Sequence, residues 1–472
     1  MVNFTILAGG FSNFIATYVF DSDAGSLALT KQNPSGDAPS WIASSLVNPS
    51  ILYAVNEISP VGNLQSFIVD AEGGLTLVDT VSTGGNAPTF TQPLTTGEVP
   101  AANFGSPNAS FISVDPADPS RFVKDNLQST IVEFPASPSN PHQTLEHNGE
   151  VFIPDLGADK IWRVGKDEAG QFRLQGQIDI APGNGPRHIA IRENLLFTLH
   201  EKTSVLTVQP IPEGPNGTTL PVIANVSIVP TLAPGFNGSF FAAEIIISEP
   251  TEQFPTPLIY VSNRNLGPEF DPQGDTIAIF EFTGFSGSNS TAGSPAPSGS
   301  TELGAGPVVT QLVAAQPEPS VVRRMIKRHA RRRIHDEARR QYYGGSAGSA
   351  APAVPSSSCS GSTVTLVAGS TPTGGASSPE QTPTGEGSVD PSQGTLVLVN
   401  QVPTGIRLIR SFAIGRVQDG GDEFVIAGGQ NDSNEGGVAV FRRIEGGRNL
   451  ELVARNLEIA SRTSFVFLPV AN

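Results

Sequence analysis

Short apolar stretches, each ending in a polar residue or a glycine, recur along the whole chain. Such runs are typical of buried β-strands. The seven stretches end at Gly9, Asn56, Asn103, Asp155, His200, Asn263 and Gly428. The first six end residues lie 47, 47, 52, 45 and 63 residues apart, and the last interval of 165 residues includes a Ser/Gly/Pro/Ala-rich stretch of about 110. A near-constant period of this length indicates a closed ring of small sheets.

Each repeat contains about four strand-like segments. In the first repeat these begin with Phe4–Ala8 and Phe14–Phe20, and Leu27–Thr30 follows a turn. Four short strands make one propeller blade, so the pattern predicts an all-β fold, a seven-bladed β-propeller. The predicted blades span about 4–31, 39–80, 88–134, 140–180, 185–230, 240–282 with 395–402, and 406–457. The leftover strand 464–470 is expected to return to the first blade and close the ring, which removes exposed strand edges.

The low-complexity stretch 283–394 is predicted to be a long disordered, partly basic insert in the sixth blade, because it has too little apolar surface to offset its ordering entropy. Residues 1–282 and 395–472 then form one propeller. Within the insert, Arg323–Arg340 holds nine basic and two acidic residues. This segment can be a solvated charged run, a dock for an acidic surface, an internal clamp or a localisation signal.

Composition excludes several classes of protein. The net charge is −16, and without Arg323–Arg340 it is −23, a surface that repels nucleic acid. No apolar run approaches the ~20 residues of a membrane span. Cys359 is the single cysteine, so no intrachain disulfide framework is possible, and no histidine pair has the spacing of a zinc site. We therefore expect no metal and no cofactor.

The chain's compartment is only weakly indicated. Asn3–Leu7 alternates like a first strand and no basic, apolar leader is visible, which favours the cytoplasm. Seven Asn-x-Ser/Thr sequons support the alternative of a secreted glycoprotein whose sequence is that of a trimmed mature form.

Five charged or titratable residues occupy equivalent places in different repeats. His142 and Arg187 each lie 13 residues before an end residue, where an innermost strand is expected to start. Glu57, Glu201 and Arg264 each directly follow an end residue, where an innermost strand is expected to have just ended. Equivalent places in propeller blades converge near one mouth of the central channel, which makes this set a candidate site. Ordinary ion pairs at blade edges are the competing interpretation.

The chemistry of the set suits an anionic substrate that gains or loses a proton. Paired arginines bind carboxylate or phosphate, and His142 or Glu201 can transfer a proton. His188 alternates away from Arg187 in an ideal strand, so it is expected to pack or hydrogen-bond within its blade.

Three stretches carry a resemblance to a known family. They are Asn140–Gln143 with Val151–Asp159, Gly185–His188 with Leu199–Glu201, and Val261–Arg264. These stretches resemble the seven-bladed lactonase propellers, which include 6-phosphogluconolactonases and fungal carboxy-cis,cis-muconate cyclases. The likeness covers nearly the whole chain outside the insert. One departure is that the family often has His-Pro-His where this chain has Asn140-Pro141-His142.

The resemblance implies roles for four residues. His142 and Glu201 are the implied catalytic pair, of which one handles a proton. Arg187 and Arg264 would bind the carboxylate or phosphate of the substrate, with Glu57 added from the repeat phase.

Three functions fit these residues. The favoured one is hydrolysis of a sugar-acid lactone, which needs a base for water and positive charge at the oxyanion. The alternative is a muconate cyclase, which needs carboxylate clamps and a proton delivered to carbon. A non-catalytic binding propeller is the third, and it predicts that His142, Arg187, Glu201 and Arg264 share no pocket.

Overall fold

The computed structural model describes residues 2–124, 129–285, 394–429 and 437–470. The predicted insert, including Arg323–Arg340, lies outside these residues except for its ends, 283–285 and 394. The described strands form seven antiparallel sheets, which confirms the predicted all-β, seven-bladed propeller.

The strands are numbered in chain order and grouped into blades 1 to 7. Blade 1 holds β1 (Asn3–Gly10), β2 (Phe14–Asp21), β3 (Ser26–Pro34) and β29 (Arg462–Phe467). Blade 2 holds β4 (Ile42–Ser44), β5 (Ile51–Asn56), β6 (Asn63–Val69) and β7 (Leu75–Ser82). Blade 3 holds β8 (Pro88–Thr91), β9 (Glu98–Asn103), β10 (Asn108–Asp115), β11 (Asp118–Phe122) and β12 (Thr130–Glu133). Blade 4 holds β13 (Leu145–His147), β14 (Glu150–Asp155), β15 (Lys160–Lys166) and β16 (Phe172–Asp179).

The remaining three blades repeat the same pattern. Blade 5 holds β17 (Pro186–Arg192), β18 (Leu195–His200), β19 (Val205–Pro210) and β20 (Ala224–Ser227). Blade 6 holds β21 (Phe240–Ile247), β22 (Leu258–Asn265), β23 (Thr276–Phe282) and β24 (Leu396–Pro403). Blade 7 holds β25 (Ile409–Ile414), β26 (Phe424–Gly429), β27 (Val438–Ile444) and β28 (Asn449–Asn456).

The inner strands of neighbouring blades contact one another around the ring. Contacts run from β13 through β17, β21, β25, β29 and β4 to β8. The hydroxyl of Thr89 in β8 donates to the carbonyl of His142, 3.3 Å away, and so links blade 3 to blade 4. The predicted closing strand is β29, which pairs with β1 and supplies the inner strand of blade 1. Its bounds are Arg462–Phe467, two to three residues earlier than expected.

A separate apolar cluster fills each of the seven spaces between neighbouring blades. Both faces of a blade are therefore buried. In β14, for example, Phe152 packs toward blade 5 while Ile153 packs toward blade 3. This two-sided burial explains why the repeat motif reads as a continuous apolar run rather than an alternating one.

The polar end residues of the repeat belong to the second strand of each blade, not to the innermost one as expected. They act as buried hydrogen-bonding anchors. The Asn56 amide donates to the carbonyls of Ser35 and Asp37, and the Asn263 amide donates to Thr276 Oγ1. Residues just after an end residue consequently lie one strand away from the channel.

Helical structure among the described residues is limited to single 3₁₀ turns at Val417–Asp419, Gly421–Glu423 and Glu445–Gly447. None of the helices described is long and apolar enough to cross a membrane.

Candidate active site

Inner strands of five blades carry a one-residue irregularity in register. In β17, Pro186 pairs with His200 and His188 pairs with Leu199, so Arg187 is the extra residue. Similar shifts occur in β8, β21, β25 and β29. A bulge re-aims side chains and breaks the alternation of an ideal strand. Arg187 and His188 therefore both turn inward, and the prediction that His188 packs within its own blade was wrong.

Two aspartates of the Pro154–Asp159 stretch hold the segments that carry His142 and Arg187. The buried Asp155 carboxylate accepts from Ser139 Oγ, the Asn140 N–H and Trp162 Nε1 at 2.5, 2.6 and 2.8 Å. It also accepts from the N–H groups of its own turn at Gly157 and Ala158. An isolated bridge between Pro141 and Asp155 completes this anchor and places His142 three residues before the inner strand β13, close to the predicted strand entry.

Asp159 anchors the second segment. Its two carboxylate oxygens accept from the N–H groups of Gly183 and Gly185, at 2.8 and 2.7 Å. Gly185 has φ 64°, a left-handed conformation that favours glycine, and its carbonyl accepts from the Glu201 N–H at 2.8 Å. The same turn thereby fixes both Arg187, two residues later, and Glu201.

Arg187, Glu201 and Arg264 form one buried ion-pair cluster. Arg187 Nε lies 2.9 Å and Arg264 Nη2 lies 2.7 Å from the same Glu201 oxygen, Oε2. Arg187 also donates to the carbonyl of Ala243, and Arg264 donates to that of Ala242 at 3.1 Å. Three of the five predicted residues are thus in direct contact.

The electrostatics of the cluster keep Glu201 and Arg187 charged. Burial alone would raise the pKa of Glu201, but the guanidiniums of Arg264 and Arg187 hold it below its usual range. Burial, reinforced by Arg264, lowers the pKa of Arg187 to about 9, still above neutral pH. One buried carboxylate therefore holds two guanidiniums side by side, the arrangement expected of an anion or oxyanion site.

His142 lies beside this cluster within an aromatic wall. Its ring centroid is 5.1 Å from that of His188 and 5.6 Å from that of Phe104. His188 in turn lies 5.4 Å from Trp41 and 5.7 Å from Phe90. Rings from blades 2, 3 and 4 thus meet around His188 of blade 5, which shows that the His188 side chain reaches across the inside of the ring.

His142 is held neutral by its surroundings. Burial, followed by the positive charges of Arg187, His188, Arg410 and Arg264, lowers the pKa of His142 well below its usual value. Its imidazole therefore carries a free lone pair at neutral pH and can act as a base.

Three residues of the site escaped the sequence analysis. Glu244 accepts a hydrogen bond at its Oε1 from His188 Nδ1, 2.8 Å away. Arg410 is buried, its guanidinium lies 4.9 Å from the centre of the Phe11 ring, and its charge acts on His142, Arg187 and Glu201. Together with His188, these residues sit at the bulges of inner strands, where a constant spacing from the end residue does not hold. A charged or titratable residue within the otherwise apolar inner strands β17, β21 and β25 was the available signal.

Glu57 remains outside the described ion-pair cluster. It follows β5, is half-buried, and its N–H donates to the carbonyl of Ala38 at 2.9 Å. Its role in substrate binding stays a prediction. Among the described residues there is no group of three or more His, Cys, Asp or Glu side chains arranged to hold a metal ion.

Comparison with known proteins gives a family match. Residues 5–294 match the model of a family described as "Lactonase, 7-bladed beta-propeller". A probable 6-phosphogluconolactonase of Arthroderma benhamiae is 27% identical over 269 residues, which are 54% of this chain and 65% of that protein. The 6-phosphogluconolactonase of Bacillus subtilis is 24% identical over 300 residues, 60% of this chain and 77% of that one. The match thus spans just under two thirds of the first relative's length.

Solved structures show the same fold. A periplasmic gluconolactonase of Pseudomonas aeruginosa superposes with a TM-score of 0.63 at 16% identity. The superposition covers 99% of this chain and 100% of that protein. A putative 6-phosphogluconolactonase of Bacteroides fragilis gives a TM-score of 0.61 at 16% identity, with 99% and 98% covered.

Proposed function

Because this chain belongs to the family of seven-bladed β-propeller lactonases, we propose that it is a lactone hydrolase acting on a sugar-acid lactone. The observation that carries the proposal is the meeting of a neutral, buried His142 with the Arg187–Glu201–Arg264 cluster. Lactone hydrolysis needs a base for water and positive charge at the developing oxyanion. In this proposal His142 supplies the base, and the guanidiniums of Arg187 and Arg264 supply the positive charge.

The roles divide as follows. His142 takes a proton from the attacking water, the water oxygen bonds to the lactone carbonyl carbon, and the carbonyl electrons move onto the oxyanion. The guanidiniums of Arg187 and Arg264 stabilise that charge. Collapse of the intermediate breaks the ring C–O bond, and the proton returns from His142 to the leaving ring oxygen.

Glu201 is assigned to positioning rather than proton transfer. Its low pKa keeps it ionised, and both arginines bind the same oxygen. With Arg410 the site holds three buried guanidiniums. These positive charges favour an anionic substrate such as a sugar-acid lactone that carries a phosphate or carboxylate.

Muconate cyclisation is the second candidate, since the arginines can bind carboxylates. Trp41 and Phe90, whose rings lie 4.4 Å apart, also offer an apolar wall for a planar acid. That reaction delivers a proton to carbon. A histidine with a depressed pKa is mostly unprotonated at neutral pH and so has no proton to deliver. His142 therefore supports hydrolysis better than cyclisation. A non-catalytic propeller is the least supported, because it predicts no shared site for these residues.

The test is turnover of 6-phosphogluconolactone, gluconolactone and carboxymuconate by the wild type, His142→Ala and the control His147→Ala. His147 is a half-exposed histidine of the same blade. We expect lactone hydrolysis above the spontaneous rate, reduced ~10²–10⁴-fold in His142→Ala and unchanged in His147→Ala. Turnover of carboxymuconate alone would assign the cyclase reaction, and turnover of none of the three would contradict this proposal.

A further inference from the structure

His188 and Glu244 form a buried pair that the hydrolytic roles above leave unused. His188 is fully buried at 0% exposure and Glu244 is 5% exposed. Glu244 Oε1 accepts from His188 Nδ1 at 2.8 Å and from the Ile245 N–H at 3.1 Å, and the Glu244 N–H donates to Ser262 Oγ. These contacts fix the carboxylate and require the proton of a neutral His188 to sit on Nδ1, leaving a lone pair on Nε2.

Two buried imidazole nitrogens, one of His188 and one of the neighbouring His142, lack hydrogen-bond partners among the described residues. Among the described residues, neither His188 Nε2 nor His142 Nδ1 has a hydrogen-bond partner. The two rings are 5.1 Å apart and inclined at 63°, a separation that a hydrogen bond between ring nitrogens can span after a small rotation. Buried polar atoms are rarely left unpaired, so this pairing accounts for both at once.

The charges around His142 indicate what the His188–Glu244 pair can do. An imidazolium at His142 would face the guanidiniums of Arg187, Arg410 and Arg264. Glu201 already binds two of those guanidiniums through one oxygen, whereas Glu244 has no guanidinium in ion-pair contact within the described residues. Glu244 is therefore the carboxylate available to offset positive charge that develops on the imidazoles.

We propose that Glu244 and His188 are positioning residues that form a proton relay with His142. The proposal rests on the hydrolytic function above. The His142 Nδ1–H donates to His188 Nε2, and the His188 Nδ1–H donates to Glu244, so His142 presents its unprotonated Nε2 to the attacking water. When His142 Nε2 takes the water's proton, its Nδ1 proton shifts toward His188 Nε2, and the positive charge moves next to the Glu244 carboxylate. The shift reverses when the proton passes to the leaving oxygen.

Two substitutions separate the relay from simple packing. Glu244→Gln keeps the shape and removes the charge. His188→Asn places an amide donor near the position of Nδ1, which preserves the contact with Glu244, but it has no counterpart of Nε2. The matched control is Glu150→Gln, which breaks a bidentate pair with buried Arg163, 2.7 Å at both contacts, at the opposite end of β14 from Asp155.

The kinetic experiment follows kcat and KM of these variants from pH 4.5 to 9 with the lactone that the wild type turns over best. We expect Glu244→Gln and His188→Asn each to lower kcat about tenfold or more with little change in KM, and the double variant to be no worse than either single one. Removing the carboxylate lowers the pKa of His142 further, so the acid limb of kcat in Glu244→Gln moves to lower pH by about half a unit. An acid limb and kcat that match those of Glu150→Gln would overturn the relay.

A second readout does not depend on turnover. Nitrogen-15 NMR of the full chain reports which nitrogen of each histidine carries the proton, with His142→Gln and His188→Asn as assignment controls. We expect proton on Nδ1 for both residues and a lower pKa for both in Glu244→Gln. Proton on His188 Nε2, or a His142 titration indifferent to Glu244→Gln, would contradict the relay. Failure of the wild type to hydrolyse any lactone would instead contradict the proposed function, and the NMR result would still decide the proton arrangement.

Discussion

At the residue scale, the histidines inside the propeller show how burial sets protonation. His142, His188 and His200 are all buried, and burial is the main cause that lowers the pKa of each. For His188, the Glu244 carboxylate partly counteracts that effect. A folded protein that resists protonating these rings must become less stable in acid, because the unfolded chain binds those protons readily.

The clearest case is His200, whose pKa burial lowers from 6.5 to about 4. Its stabilising effect is complete above pH ~6.5 and is lost as pH falls through ~4, which amounts to about 3 kcal/mol of unfolding free energy. We expect His200→Gln, which can still reach Thr207 Oγ1, to lose less stability than the wild type between pH 7 and 4.5. Denaturant unfolding at several pH values measures this, and parallel curves for the two proteins would contradict it.

The sequence identified the site residues that follow the repeat spacing and missed those that sit at bulges. Arg187, Glu201 and Arg264 could be found because they keep a fixed distance from a repeating end residue, and that distance is a property of the chain. His188 could not, because strand alternation predicts the wrong face wherever a bulge adds one residue. Glu244 and Arg410 were missed for the same reason, since they too sit at register shifts.

At the element scale, the Pro154–Asp159 turn connects strand geometry to the site. Asp155 ends β14 and holds the segment before His142, and Asp159 holds the turn before Arg187. Lys202 adds a third tie, since its ammonium donates to the carbonyl of Leu156 at 2.7 Å. One short turn of blade 4 therefore aligns the segments that carry His142 and Arg187, which gives a physical reason for the residues of this stretch.

Replacing Asp155 is expected to damage both stability and activity. Asp155→Ala leaves five donors without their acceptor, and each orphaned buried donor costs ~1–3 kcal/mol, partly relieved by water. We expect a loss of about 3–5 kcal/mol of unfolding free energy and a lower kcat, since His142 loses its anchor.

Asp167→Ala is the control for that experiment. Asp167 also accepts from two backbone N–H groups, of Ala169 and Gln171, but in an exposed turn of the same blade. Denaturant unfolding and lactone turnover compare the two variants. Equal losses of about 1 kcal/mol or less in both would show that the Asp155 network has no special role.

At the scale of the whole molecule, the ring was the most predictable feature. Seven near-equal repeats and one leftover strand leave few alternatives to a closed propeller, and closure follows from the need to pair every edge. What the repeats did not reveal was which strand of a blade faces the channel. The apolar motif marks the second strand, because that strand is buried on both faces, whereas five of the inner strands carry a bulge that interrupts the pattern.

The closed ring leads to opposite expectations for two deletions. Residues 283 and 395 are hydrogen-bonded neighbours: the Thr283 N–H donates to the Thr395 carbonyl at 3.1 Å, and the Thr395 N–H donates to Thr283 Oγ1 at 3.0 Å. Replacing 286–393 with a short Gly/Ser linker therefore asks only for a turn between β23 and β24. We expect a monodisperse variant with the β-rich circular dichroism spectrum and the lactone turnover of the full chain.

Ending the chain after residue 457 removes β29, the inner strand of blade 1 and the source of Phe465 and Phe467 in the apolar cluster between blades 7 and 1. Losing two buried phenylalanines costs ~3–5 kcal/mol each, and the exposed edge of β1 invites association. We expect this truncated variant to aggregate on size-exclusion chromatography while the linker variant does not. If the linker variant aggregates or loses turnover as well, residues 286–393 are part of what the propeller needs to fold, and the single-ring description of 1–282 with 395–472 is wrong.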